Sequence, residues 1–134
     1  MAIPGLHLTQ IGSSDFLLEP LRNLNIRDQD RLLENITSRL QQARAYDSAR
    51  ASARSGSESF RASRLYYDLA EQALIDPVYY AWLDTLARTV RAINVEMICI
   101  HMRPTAAYAL AQFMRELPAF ETALDISGWK RSGQ

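Results

Sequence analysis

Two side chains capable of nucleophilic chemistry lie close together in the sequence, where one residue separates Cys99 from His101. If both belong to one strand, their side chains point to the same side of the sheet. A Cys–His pair also needs a third group that orients the histidine. Because Cys99 lies inside a strongly apolar run, the simpler interpretation is a buried structural cysteine, with His101 structural or at the surface rim. We therefore assign no catalytic residue.

The histidines and carboxylates show no recognisable metal or phosphate chemistry. His7 and His101 are the 2 histidines of the chain, and no close ligand spacing joins them to nearby carboxylates. Asp68 and Asp76 could line the same end of a sheet, but a turn residue and a helix cap are simpler roles. The chain has neither a Gly-rich phosphate loop nor a nucleophile elbow. We expect no metal and no cofactor.

The composition excludes further classes. The chain has 134 residues, 1 cysteine, and 15 basic and 15 acidic residues. A single cysteine excludes an internal disulfide, and balanced charge argues against nucleic-acid binding. No apolar run reaches the ~18 residues of a membrane span, and the N-terminus lacks signal-peptide features. We expect a single domain over residues 1–134, soluble and cytoplasmic, without nucleic-acid or membrane partners.

The first half of the chain predicts a hairpin, a helix and a polar insertion. Residues 6–11 alternate in polarity and an apolar run follows over 16–21, which predicts an N-terminal hairpin. Pro20 favours an edge strand or a bulge. Helical spacing of apolar residues predicts a helix over 28–45. The Ser/Arg-rich residues 46–63 predict a flexible insertion, although its Ala/Arg start could extend the helix. The insertion is either a solvated segment without a role or a phosphorylatable or docking segment.

The second half alternates strands and helices. The aromatic run 65–69 predicts a strand, and Asp76 followed by Pro77 predicts a helix start, because Asp caps free amides and Pro suits the first position. Apolar residues over 95–102 predict a central strand covered on both faces. A third helix, a short strand and a tail follow over 104–117, 120–126 and 127–134.

The element order β-β-α-β-α-β-α-β predicts an α/β fold. Strands that alternate with helices need crossover connections, and these build a largely parallel inner sheet. The N-terminal hairpin adds an antiparallel edge. We therefore expect a mixed central sheet with the helices packed on it.

Three stretches carry a family resemblance. Residues 66–77 (Tyr-Tyr-Asp-Leu-Ala through Leu-Ile-Asp-Pro) combine a strand, a turn and a helix start. Residues 95–110 combine a strand, a His-Met-Arg-Pro turn and a helix, and 120–125 reads Phe-Glu-Thr-Ala-Leu-Asp. In order and spacing they resemble the STAS domain family of anti-anti-sigma factors, especially the small antagonist subunit of the bacterial stressosome. The resemblance spans residues 6–126.

The resemblance implies a STAS-like fold and a non-enzymatic regulator that binds and sequesters a signalling partner to control transcription or a stress response. The partner would be an anti-sigma type switch kinase or other STAS subunits. In the family, the phosphorylated serine follows an Asp at the start of the second helix, a position that is Pro77 here. A threonine of the larger subunits maps to Ile100, and the glycine after it maps to His101. Because neither switch hydroxyl is present, we expect binding that is constitutive or controlled in another way.

We expect the partner surface near the start of the second helix. Exposed aromatic and Arg residues are typical of interface hot spots, and they also suit a homodimer. Alternation along a strand predicts that either Tyr66 or Tyr67 is exposed. The predicted partner-binding residues are Asp76, Pro77, Tyr80, Asp84, Arg103 and Tyr108.

Two other functions fit the same fold. A STAS accessory subunit of an ABC-type transporter would dock its ATPase through the same helix face. A direct anti-activator would instead capture a transcription factor. A small hydrolase has the least support, because the residues provide no catalytic frame.

Overall fold

The chain folds into strands and helices in the predicted order. The computed structural model describes residues 5–12, 15–54, 63–113 and 118–126. A 3-10 turn, Ile26–Asp28, precedes the first helix. The elements are β1 Leu6–Ile11, β2 Asp15–Pro20, α1 Gln29–Arg54, β3 Ser63–Asp68, α2 Pro77–Arg91, β4 Val95–Ile100, α3 Pro104–Phe113 and β5 Glu121–Ala123.

The strands form one mixed sheet in the order β1-β2-β3-β4-β5. β1 and β2 pair antiparallel as the predicted hairpin, and β2 to β5 pair parallel. The expectation that Pro20 marks an edge strand or a bulge is wrong, because β2 is internal and β1 forms the edge. Proline is tolerated there because the parallel ladder from β2 to β3 ends at Leu18, so the missing N–H lies beyond it.

All three helices pack on one face of the sheet. Alternate residues of β3 and β4, among them Leu65 and Met97, join residues of α1, α2 and α3 in the main core. A smaller cluster of Tyr66, Ile98 and Ile100 lies on the opposite face, and it includes no described residue of those helices. Because β2, β3, β4 and β5 run parallel, the loops that follow them lie at one end of the sheet. We call this end the carboxyl edge.

The first helix is longer than the hydrophobic pattern predicts, because α1 continues to Arg54. Alanine and arginine, which are strong helix formers, make up most of residues 43–54. Of the two alternatives for the start of the insertion expected over 46–63, the structure has the extended helix, because the backbone is helical over 46–54. Ser63 is not part of a loop, because it is buried as the first residue of β3.

Several sequence predictions lie outside the described residues. These are the middle of the insertion (55–62), the end of the third predicted helix (114–117) and the tail (127–134). Among the residues that are described, no helix combines the length and apolar character needed to cross a membrane.

The start of α2 confirms the prediction from Asp76 and Pro77. The Asp76 carboxylate accepts the Tyr79 N–H at 2.7 Å, and Pro77 occupies the first helical position. The apolar stripe of the helix then enters the main core, with Trp82 and Leu83 fully buried. The cap fixes where the helix begins, and the stripe fixes which face turns to the sheet.

Tyr66 and Tyr67 are both buried, so the expectation that one is exposed is wrong. Tyr67 faces the helices, where its hydroxyl lies 2.7 Å from the Tyr79 hydroxyl and accepts the Trp82 indole N–H at 3.0 Å. Tyr66 faces the opposite cluster with Ile98. The alternation is as expected, but both faces of the sheet are covered at this strand.

Burial changes the acidity of the tyrosines in this network. It raises the pKa of Tyr67 well above the ordinary value of 10.0, and that of Tyr79 to about 12. The folded state thus prefers neutral phenols more strongly than the unfolded chain does. Their contribution to stability is fully present below pH 10 and falls as the pH rises from 10 towards 12.

We therefore expect alkaline unfolding that begins above pH 10 and is coupled to tyrosine ionisation. Absorbance at 295 nm should report phenolate formation in step with loss of the circular dichroism signal. Tyr79→Phe should reduce the amplitude of this coupled ionisation, whereas Tyr108→Phe, at an exposed ring, should not. Ionisation of the network well before unfolding would contradict the burial argument.

Candidate functional site

The exposed large apolar side chains lie in segments that lead away from the carboxyl edge. In the described part of the chain, every large apolar side chain that is exposed belongs to a segment following a parallel strand, with exposed fractions from 49% to 85%. Such residues are typical of interaction surfaces when they share one region. We call them the apolar edge residues: Leu21 after β2, Leu74 and Val78 after β3, Tyr108 after β4, and Leu124 after β5.

Backbone contacts hold two of these residues in place. The Leu21 N–H donates to the Gly5 carbonyl at 2.8 Å, which joins the turn after β2 to the start of β1. Gly5 has a φ of +80°, and a Cβ there would lie 2.5 Å from the Leu24 Cα, so this close approach requires glycine. The Leu124 carbonyl accepts the His101 N–H at 3.1 Å. The apolar edge residues therefore include side chains on turns tied to the sheet.

An Asp–His pair lies at the end of β3 and β4. The Asp68 Oδ1 atom lies 3.0 Å from His101 Nδ1 and also accepts the Ala70 N–H at 2.9 Å. His101 adopts a φ of +59°, a left-handed conformation that few residues other than glycine prefer. The ring contact with Asp68 and the backbone bond to Leu124 hold the residue in this conformation.

The structure separates Cys99 from His101. β4 ends at Ile100, and His101 turns away in its left-handed conformation, so the expectation that both side chains share one side of a strand is wrong. Cys99 is fully buried in the helix-side core, and this burial raises the pKa of its thiol well above the ordinary value. A neutral, inaccessible thiol is a poor nucleophile, which agrees with a structural cysteine.

Four of the six predicted partner-binding residues lie at the carboxyl edge. Asp76 and Pro77 are exposed at the start of α2, Arg103 is exposed directly before α3, and Tyr108 is exposed on α3. Asp76 is already engaged as the cap of α2. The Arg103 Nε atom donates to the Ala70 carbonyl at 2.7 Å.

The other two, Tyr80 and Asp84, hold the segment before β5. The Asp84 carboxylate accepts the Ala119 N–H at 3.0 Å and the Arg88 Nε–H at 2.8 Å. The half-buried Tyr80 ring packs edge-on against Phe120, with centroids 6.1 Å apart. Both side chains therefore serve contacts within the fold.

A polar region lies at the end of the sheet opposite the carboxyl edge. A shallow cleft there is lined by Arg91, Asn94, Val95 and Glu96. Desolvation and the neighbouring Glu96 carboxylate raise the pKa of Glu121. Among the described residues, no group of three or more His, Cys, Asp or Glu side chains is placed to hold a metal ion.

The chain was compared with known proteins. No protein-family model matches the sequence, and no curated protein matches it at a significant level.

The exposed residues at the carboxyl edge were predicted only in part. The sequence patterns indicated Tyr108 and the α2 start but not Leu21, Leu74, Val78 and Leu124, because apolar character alone predicts burial and not exposure. They also did not indicate the pairing of Asp68 with His101. The predicted strands 65–69 and 95–102 contained both residues, whereas in the structure Asp68 ends β3 and His101 follows β4.

Replacing His101 by glycine and by alanine separates the backbone conformation from the ring contact. Both variants lose the bond to Asp68, but only glycine relieves the positive φ. We expect His101→Gly to be about 1 kcal/mol more stable than His101→Ala in urea unfolding.

His7 provides the matched control. It lies in extended β1 and its ring is also paired with a carboxylate, Glu19, at 3.3 Å. There the order should reverse, because glycine destabilises a strand relative to alanine by about 0.5–1 kcal/mol. Equal stabilities of the two His101 variants would contradict a strained backbone at that residue.

Proposed function

We propose that this protein is a non-enzymatic regulator of the STAS type that binds a signalling protein through its carboxyl edge. The partner is an anti-sigma type switch kinase or another STAS subunit, and the bound partner is withheld from its alternative target. The observation that carries the proposal is the position of the apolar edge residues, all of which follow parallel strands at one end of the sheet.

The apolar edge residues support a protein partner. Burying an exposed Leu or Val side chain yields about 1.5–3 kcal/mol, and a few such anchors dominate most interfaces. Asp76, Glu71 and Arg103 are exposed at the same edge and provide a mixed polar rim. An apolar centre with a polar rim is the usual anatomy of a protein interface.

The backbone at His101 supports the family part of the proposal. The resemblance aligns this residue with a glycine in the turn after the strand, and His101 has the positive φ that glycine adopts most readily. The mixed sheet, with a hairpin followed by parallel strands, agrees with the expected element order. The aligned phosphorylation position is exposed Pro77, at the first residue of α2.

Pro77 determines how such a regulator would release its partner. A proline has no hydroxyl to accept a phosphoryl group, so the usual change of charge at the helix start is unavailable. Phosphate at a helix N-terminus would otherwise alter both charge and hydrogen bonding at the interface. We therefore propose that competition or concentration, not phosphorylation of this residue, controls release.

Binding to purified switch kinases and STAS-type proteins from the same organism tests the function. We expect wild-type protein to bind one of them, measured by biolayer interferometry. Leu74→Glu combined with Val78→Glu places charge on the apolar edge residues and should weaken binding about 30-fold or more, which corresponds to about 2 kcal/mol. The control pair, Ser38→Glu with Gln42→Glu on the exposed face of α1, should bind like wild type.

The outcomes of this assay are distinct. Equal binding by both double variants would refute the carboxyl edge as the interface, and absence of any wild-type binding would refute the proposed partner class. A parallel assay with a purified transporter ATPase and with a transcription factor covers the two alternative functions, and binding to either of these instead would favour that alternative. In the same assay with ATP, a cognate kinase should phosphorylate Pro77→Ser and leave wild type unmodified at the α2 start.

A further inference from the structure

The loop between β3 and α2, residues 69–76, is fixed at both ends although it contains no helix or strand. Leu69 and Ile75 are buried and anchor it to the core. The Leu69 N–H also donates to the Ile100 carbonyl at 2.9 Å. Between these anchors Leu74 is exposed, so the loop presents an apolar side chain from a backbone whose ends are held.

The segment after β4 contacts the middle of this loop. The Arg103 Nε atom donates to the Ala70 carbonyl at 2.7 Å, and the Thr105 hydroxyl donates to the Ala73 carbonyl. These two carbonyls belong to loop residues without a regular partner strand. Two side chains from one segment thus satisfy acceptors at two separate positions of its neighbour.

The Asp68–His101 pair adds a third connection between the same two segments. The Asp68 carboxylate receives the Ala70 N–H as well as the His101 ring contact. Both the N–H and the C=O of Ala70 are therefore bonded to side chains, one from β3 and one from the segment after β4. Such bonding restricts the backbone of the loop at that residue.

We propose that Arg103 and Thr105 are positioning residues, which hold the β3–α2 loop in the conformation that presents Leu74 and Pro77 to a partner. This inference rests on the proposed function and changes the role expected for Arg103, which acts through the Ala70 carbonyl. A loop ordered before binding loses less conformational entropy when the complex forms. Loss of the clamp therefore weakens binding without removing a contact to the partner.

Hydrogen exchange on the isolated full-length protein tests the clamp directly. Thr105→Val removes the hydroxyl and keeps the shape, while Thr105→Ser keeps the hydroxyl. The reporters are the amides of Ala70 and Gln72, which donate to Asp68 and to the Leu69 carbonyl. We expect Thr105→Val to accelerate their exchange about fivefold.

Thr105→Ser should restore slow exchange, and amides in the second half of α2 should be unaffected in both variants. Unchanged exchange at Ala70 and Gln72 in Thr105→Val would overturn the clamp, whatever the binding data show. Faster exchange throughout α2 would indicate general destabilisation and would equally overturn a local role. Arg103→Ala should act in the same direction as Thr105→Val.

Affinity for the switch kinase tests the positioning role. Thr105→Val should weaken binding about fivefold, and Thr105→Ser should rescue it. Faster loop exchange with unchanged affinity would overturn positioning and leave the proposed function intact. If wild type binds neither a switch kinase nor another STAS subunit, the proposed function fails and the positioning role fails with it, while the exchange data still decide whether Thr105 orders the loop.

Discussion

Parallel pairing of β2, β3, β4 and β5 in sequence order is the constraint on which the rest of the structure depends. Each connection must return the chain to the same end of the sheet, and α1, α2 and α3 do so across one face. Connections between parallel strands of one sheet are almost always right-handed. This arrangement covers the helix side of the sheet and collects the loops after the strands at the carboxyl edge.

The carboxyl edge is ordered by side chains that satisfy loop backbone. Asp68, Arg103 and Thr105 bind backbone groups of the β3–α2 loop, and Asp76 caps α2. The apolar side chains of Leu74 and Val78, between and beside these bonded groups, are exposed.

The elements with strong local signals could be predicted from the sequence. Asp76 and Pro77 specify a helix start through one hydrogen bond and one fixed dihedral angle, and the hairpin follows from alternation and a turn. The second half of α1 has no periodic apolar pattern, so its length follows from the helix propensity of its alanines and arginines instead. The burial of both Tyr66 and Tyr67 depended on coverage of two faces.

The candidate site was only half predictable for a related reason. Asp84 and Tyr80 lie on α2, the helix on which they were predicted. Their partners Ala119 and Phe120 come from a distant segment that no local pattern connects to α2. His101 departs from the strand because a single backbone angle changes sign. Tertiary contacts determine the roles of Asp84 and Tyr80, and one dihedral angle determines that of His101. A periodic pattern of apolar residues predicts neither.

The most direct test of the central claim is an NMR titration of the ¹⁵N-labelled protein with the partner it binds. We predict that chemical-shift changes concentrate on amides of the non-proline residues at the carboxyl edge, in 21–24, 70–78, 101–108 and 124–126. Changes confined to the exposed face of α1, or to the cleft around Asn94, would contradict the carboxyl edge as the binding surface.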